Sequence, residues 1–80
     1  MSESTVSQLR ALLAEVCAID LQNVQADRKL RSYGLDSVRA FELVILIEET
    51  FGLPIKPEVF EGLRNATVGE LADYIAREVA

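Results

Sequence analysis

Fifteen residues, SVRAFELVILIEETF, stand between Asp36 and Gly52, and this segment constrains the fold more than any other part of the chain. At about 100° per residue, Ala40, Leu43, Val44, Ile47 and Phe51 fall on one side of a helix, which makes that side a core face. Ile45 and Ile47 are β-branched, so the run VILI has some strand character. Glu42 before it and Glu48 and Glu49 after it keep the helical frame. Asp36 is placed to accept from the first free amides as an N-cap, Gly52 suits the left-handed residue past a helix end, and Pro54 prevents continuation. The segment predicts a helix over residues 37–51.

The same period recurs elsewhere. Ser4 stands as a cap for a first helix over about residues 5–18, with Val6, Leu9, Leu12, Leu13 and Val16 buried and Cys17 at the edge of the stripe. Residues 19–35 lose the period, yet Ile19, Leu21, Val24, Leu30, Tyr33 and Leu35 recur through them, which predicts a long loop packed onto the core. Pro57 fits the first position of a short third helix through PEVFEG. Thr67 and Glu70 have capping-box spacing ahead of a last helix carrying Val68, Leu71, Ala72, Ile75 and Val79. The expected fold is all-α: a four-helix bundle with a long first loop and a short third helix, formed by residues 1–80 as a single domain. A chain this short buries about 60% of its unfolded surface on folding, so one efficient core has to suffice. A composition that is 50% hydrophobic supplies it.

Charge and composition exclude several functions. Thirteen acids against eight bases give a net charge of -5. That balance disfavours nucleic acid, whose phosphates call for clustered Lys and Arg. With no histidine in the chain, Ser-His and Cys-His mechanisms and His-ligated zinc are closed to it acting alone. The single Cys17 forms no internal disulfide and reads as a hydrophobe at the core edge. The start, MSESTVSQLR, has neither the basic opening nor the apolar run of a signal peptide, and no apolar stretch approaches the roughly 18 residues of a membrane span. The expectation is a cytoplasmic monomer that binds neither membrane nor nucleic acid, holds no metal and is not an enzyme, since no catalytic constellation is present.

The excess acid is local. From Asp36 to Glu61 six acids face only Arg39 and Lys56, a net of -4, while residues 1–35 sum to zero. On the second helix, the side opposite the core stripe carries Val38, Phe41 and Ile45 among Glu42 and Glu49, with Ser37 opening the helix beside them. Large apolar side chains ringed by acids on a solvent face read as a docking surface for basic partners, the alternative being that the loop or the third helix covers part of it. A serine in a first helical turn also lies near unpaired amides and the positive end of the helix dipole, which favour an attached phosphate, although Asp36 opposes this slightly by its charge. The basic cluster Arg28, Lys29 and Arg31 just before this point reads as a solvated loop or as a screen for such a phosphate.

Gly34-Leu35-Asp36-Ser37-Val38, followed by Glu42-Leu43, the pair Glu48-Glu49 and Phe51-Gly52, resembles the acyl carrier protein family, and the likeness extends through the TVGELADYI ending. In that family the serine of a Gly-x-Asp-Ser-Leu motif receives 4′-phosphopantetheine through a phosphodiester, and acyl groups ride on the arm's thiol as thioesters. By resemblance that serine is Ser37, and Asp36, besides capping the helix, assists modification by a phosphopantetheinyl transferase. The resemblance also assigns Val38, Arg39, Phe41, Glu42, Ile45, Glu48 and Glu49 to docking of acyl-loading, ketosynthase or other acyl-processing enzymes. Val38, Arg39 and Phe41 depart from the commonest residues at their places. SVRAFEL is nearer to polyketide carriers, whereas the short acidic chain looks like discrete carriers of polyketide or fatty-acid type. Leu35 differs from the glycine common before the motif in peptidyl carriers of nonribosomal systems, which stand as the alternative within the class. An unmodified helical interaction module is the alternative outside it.

Overall fold

A computed structural model describes residues 2–79, with side chains from Ser4 onward. It contains four helices: α1 (Ser2–Cys17), α2 (Ser37–Phe51), α3 (Pro57–Leu63) and α4 (Val68–Val79). The all-α expectation is met, and α2 and α4 begin and end where their capping residues and apolar periods place them. Two expectations at the amino-terminal side need correction. The helix already runs from Ser2, so Ser4 lies inside its first turns and does not cap it. The loop between α1 and α2 is also more regular than its sequence suggests, because it contains two 3₁₀ turns, Leu21–Asn23 and Leu30–Tyr33.

α1 packs against both α4 and α2. Leu9 and Leu13 from α1, Leu43 and Ile47 from α2, and Leu71 and Ile75 from α4 are fully buried, and Phe60 brings α3 to the same core. Val24, Leu30 and Leu35 join them, so the loop is anchored by apolar side chains as its sequence implied. Leu21 and Val79 do not follow the pattern: both are exposed, Leu21 on the first 3₁₀ turn and Val79 at the last position of α4.

Main-chain and side-chain bonds complete the anchoring. Leu30 N–H donates to Ala66 O at 2.9 Å, Val68 N–H to Arg28 O at 3.0 Å and Gly69 N–H to Ala26 O at 2.8 Å, clipping the loop to the start of α4. At Gly69 a β-carbon would lie 3.2 Å from Ala26 O, so the absence of a side chain allows this close approach. From α1, Arg10 Nε donates to Val24 O at 2.7 Å and its Nη2 to Leu21 O at 3.0 Å. Tyr33 Oη accepts from Gln25 N–H at 2.8 Å. The Arg28 guanidinium lies 5.3 Å from the Tyr33 ring centre, a cation–π distance.

The helix ends follow the chemistry of their sequences. Thr67 N–H donates to Glu70 Oε1 at 2.8 Å and Glu70 N–H to Thr67 Oγ1 at 3.1 Å, which is the reciprocal capping box. Asp36 Oδ1 accepts from Arg39 N–H at 2.8 Å as the N-cap of α2, and Gly52 closes that helix at φ 69°. Pro57 opens α3. α1 ends differently: Ala18 takes the left-handed conformation at φ 56°, and Ile19 N–H donates back to Ala14 O at 3.1 Å. This is the place glycine usually fills, because a β-carbon is strained there.

Two stability effects follow. Ala18→Gly is expected to stabilise the domain by about 0.5–1 kcal/mol by relieving that strain, measured as a higher urea midpoint at unchanged m-value. Asp36→Ala is expected to cost about 1 kcal/mol by removing a cap, while Asp36→Asn, which keeps an accepting oxygen, stays close to wild type in the same measurement.

Candidate functional site

Several hydrogen bonds hold the segment leading into α2. Gly34 ends the second 3₁₀ turn in the left-handed region at φ 72°, and its N–H donates to Arg31 O at 3.3 Å. Leu35, only 2% exposed, turns its side chain into the core. Its carbonyl accepts from Arg64 Nη2 at 2.7 Å, and Arg64 Nη1 is paired with Glu61 Oε2 at 3.1 Å. Asp36 N–H donates to Gly34 O at 3.0 Å, and the residue then extends into its capping geometry at ψ -176°.

Ser37 follows as the first residue of α2, exposed to solvent. The amides of the first turn have no acceptor within the helix. Asp36 takes up that of Arg39, so the remaining partial positive charge lies beside Ser37. The second Asp36 oxygen meets Arg39 Nη1 at 3.5 Å, and both side chains are largely exposed. Such an ion pair contributes little stability, but it sets a cation against the aspartate charge next to the serine.

α2 is two-sided. Ala40, Leu43 and Ile47 are buried and Val44 and Phe51 half-buried on the core side. On the other side Val38 is 68% and Phe41 64% exposed, with Ile45 at 39%. Val38 and Phe41 are left largely open by the loop and by α3, while Ile45 is partly covered. Arg39, Glu42, Glu48 and Glu49 are all exposed as well, so every residue assigned to the docking face from sequence lies on the surface.

An open groove of about 460 Å³ begins at Ser37 and runs between α2 and α3. Phe41, Ile45, Pro57 and Phe60 line it with apolar surface, and Glu48 and Glu61 add carboxylates. Ser37 and Glu48 are eleven positions apart on α2, a span of about 16 Å along the helix. A second, shallower groove of about 320 Å³ separates α1 from α2 and is lined by Glu15, Val16, Glu42, Ile45 and Leu46. Ile45 thus forms the ridge between two grooves. Phe41 and Phe60 line the α2–α3 groove, Leu46 lies in the other, and Ile75 is wholly buried.

The remaining candidates are structural. Arg28 stacks on Tyr33, while the main chain at Lys29 bridges to Thr67. Cys17 is half-buried, and burial raises its thiol pKa, with Arg39 lowering and Asp36 raising it to a lesser extent. A thiol held in its protonated form is a poor nucleophile. Among the described residues no three His, Cys, Asp or Glu side chains gather as a metal site, and no helix is long and apolar enough to cross a membrane. Sequence reasoning missed Arg64 and Arg10, which act through long-range bonds to backbone carbonyls, and the share of Ile55 and Pro57 in the groove wall. A lone arginine past a short helix carries no local signal of the carbonyl it will meet.

Comparison with known proteins agrees with this arrangement. The chain is 39% identical over 75 residues to phthioceranic/hydroxyphthioceranic acid synthases from Mycobacterium bovis and from two strains of Mycobacterium tuberculosis. The match takes in 92% of the chain but only 3% of each synthase, so the chain corresponds to a small part of those proteins. No solved structure shows a significant match. The model of the phosphopantetheine attachment site matches residues 7–75, which include the whole lead-in to α2, its exposed face and the start of the groove. The chain therefore belongs to the phosphopantetheine-attachment family, non-catalytic carriers that hold 4′-phosphopantetheine covalently.

Proposed function

We propose that this chain is a single acyl carrier domain in which Ser37 receives the 4′-phosphopantetheine arm. The observation that carries the assignment is the position of Ser37: exposed, first in α2 and at the mouth of the apolar groove, beside unpaired helix amides that suit a phosphate. The residues present fit such a group. The amide-rich helix start favours the phosphodiester, and Arg39 offsets part of the Asp36 charge beside it. When attached, the arm supplies a terminal thiol on which an acyl group is held as a thioester. The protein's own contribution is attachment, presentation and recognition.

Asp36 serves twice in this reading, as helix cap and as the carboxylate beside the serine during transfer by a phosphopantetheinyl transferase. Its Oδ1 is committed to the Arg39 amide, while Oδ2 meets only the exposed Arg39 guanidinium and so stays accessible. Val38, Arg39, Phe41, Glu42, Ile45, Glu48 and Glu49 form the surface read by acyl-loading, ketosynthase or other acyl-processing enzymes. Their exposure supports this reading, as does the concentration of acid from Asp36 to Glu61. Apolar anchors give the contact its register and the acids speed encounter with basic surfaces. The names of the synthases it resembles favour an acyl over an aminoacyl cargo, and a place in a polyketide or fatty-acid-like assembly line.

Incubation with coenzyme A, magnesium and a broad-specificity phosphopantetheinyl transferase is expected to add the mass of one phosphopantetheinyl group to the wild-type chain and none to Ser37→Ala, read by intact-protein mass spectrometry. A wild-type chain that gains no mass, or a Ser37→Ala chain that gains it equally, refutes the assignment. For docking, Glu42→Lys and Ile45→Ala are expected to slow turnover by a partner enzyme severalfold at unchanged helicity, because both side chains are exposed. Loss of the helical circular dichroism signal in Ile45→Ala would instead show that this residue supports the core.

A further inference from the structure

Arg64 caps the end of α3, and its main chain and both terminal guanidinium nitrogens are engaged. Its N–H donates to Phe60 O at 3.0 Å and its carbonyl accepts from Arg31 N–H at 3.3 Å. Its guanidinium joins Glu61 at 3.1 Å to Leu35 O at 2.7 Å, reaching 29 positions along the chain. The side chain is 27% exposed. A short charge-assisted bond in such a partly shielded place is among the stronger kinds.

The carbonyl it holds belongs to the peptide joining Leu35 to Asp36. The N–H of that same peptide donates to Gly34 O at 3.0 Å. Both polar ends of one peptide plane are therefore clamped, its carbonyl by α3 and its amide by the preceding turn. The plane fixes the direction from which Asp36 enters its cap, and so the orientation of Ser37 at the start of α2. Glu61, which sets the other arm of the guanidinium, lines the groove together with Phe60. The placement of α3 is in this way mechanically connected to the serine.

We propose that Arg64 is a positioning residue for the loading of Ser37, holding the Leu35–Asp36 peptide so that the serine hydroxyl is presented in one orientation. The proposal rests on the assignment of Ser37 as the attachment site. Without the bond from Arg64, the lead-in samples further orientations, and the productive fraction, with it kcat/KM, falls.

The test compares wild type with Arg64→Gln, whose amide is too short to reach Leu35 O, with Arg64→Met, which has no donor, and with Arg64→Lys. All are full chains, assayed with the same transferase and coenzyme A at a temperature where circular dichroism shows them folded. The Gln and Met variants are expected to load with kcat/KM lowered about tenfold, in keeping with the loss of one charge-assisted bond. Lys, which keeps a charged donor, should recover most of the loss. Amide hydrogen exchange at Asp36, whose N–H is bonded to Gly34 O, should quicken in Gln and Met, a local readout that a purely structural role would not single out. Loading at the wild-type rate by a folded Gln or Met variant overturns the proposal, as does failure of both to fold, which would make Arg64 a residue of the fold alone. A wild-type chain that takes up no phosphopantetheinyl group overturns the Ser37 assignment itself, a result distinct from equal loading of wild type and Arg64→Gln.

Discussion

The insertion of Val24, Leu30 and Leu35 into the core is the constraint on which the rest of the molecule depends. These three side chains come from a connection with no α-helix of its own, and all are almost completely buried. They bring the loop across the start of α4, where Leu30 N–H donates to Ala66 O and the N–H groups of Val68 and Gly69 donate to Arg28 O and Ala26 O. Without that seat the whole stretch from Ala18 to Leu35 would be free to move, and Asp36 and Ser37 would follow a flexible tether. With it, the lead-in to α2 becomes part of the core's edge. The position of Ser37 is thus set by hydrophobic burial upstream of it.

α2 separates a packed side from an exposed one. Its core side contributes Ala40, Leu43 and Ile47 to a packed interior. In such an interior a large-to-small change typically costs about 2–5 kcal/mol. Its outer side exposes most of Val38 and Phe41, so these residues contribute little to folding and are free to serve contact. Ile45 stands between the two regimes. It is partly covered yet borders both grooves, and it joins the surface facing α3 to that facing α1.

Most of the helical framework was legible because its signals are local. Asp36, Gly52, Pro57 and the Thr67–Glu70 pair act within one turn of where they stand, and the structure places each where its chemistry implies. The exposure of Val38, Phe41 and Ile45 was legible for the same reason, from the helical period alone. The misreadings share a different cause. Ser4 looked like a cap because its hydroxyl suits one, yet α1 already runs from Ser2. Serine and glutamate pay only a small propensity cost inside a helix, so nothing in them forces a later start. Leu21 looked buried, but it sits on a one-turn 3₁₀ segment whose carbonyl, not its side chain, is held by Arg10. Arg10 and Arg64 bond to carbonyls 11 to 29 positions away, and no period or cap rule encodes such a partner.

The charge distribution gains a physical sense from this arrangement. Glu42, Glu48 and Glu49 are exposed and have no cation paired with them among the described residues. Their field therefore acts outward on an approaching surface rather than inward on the fold. The acids that are paired, Asp36 with Arg39 and Glu61 with Arg64, stand at the two ends of the link between Ser37 and α3. On the proposed reading, one set of carboxylates is available to a visiting enzyme, while the other helps to orient Ser37, the group that enzyme would reach. A carrier needs both properties at once. Its contacts must form and release quickly, which favours a charged and exposed rim over a deep interface, whereas its attachment point must be presented in one geometry, which favours clamping by backbone bonds.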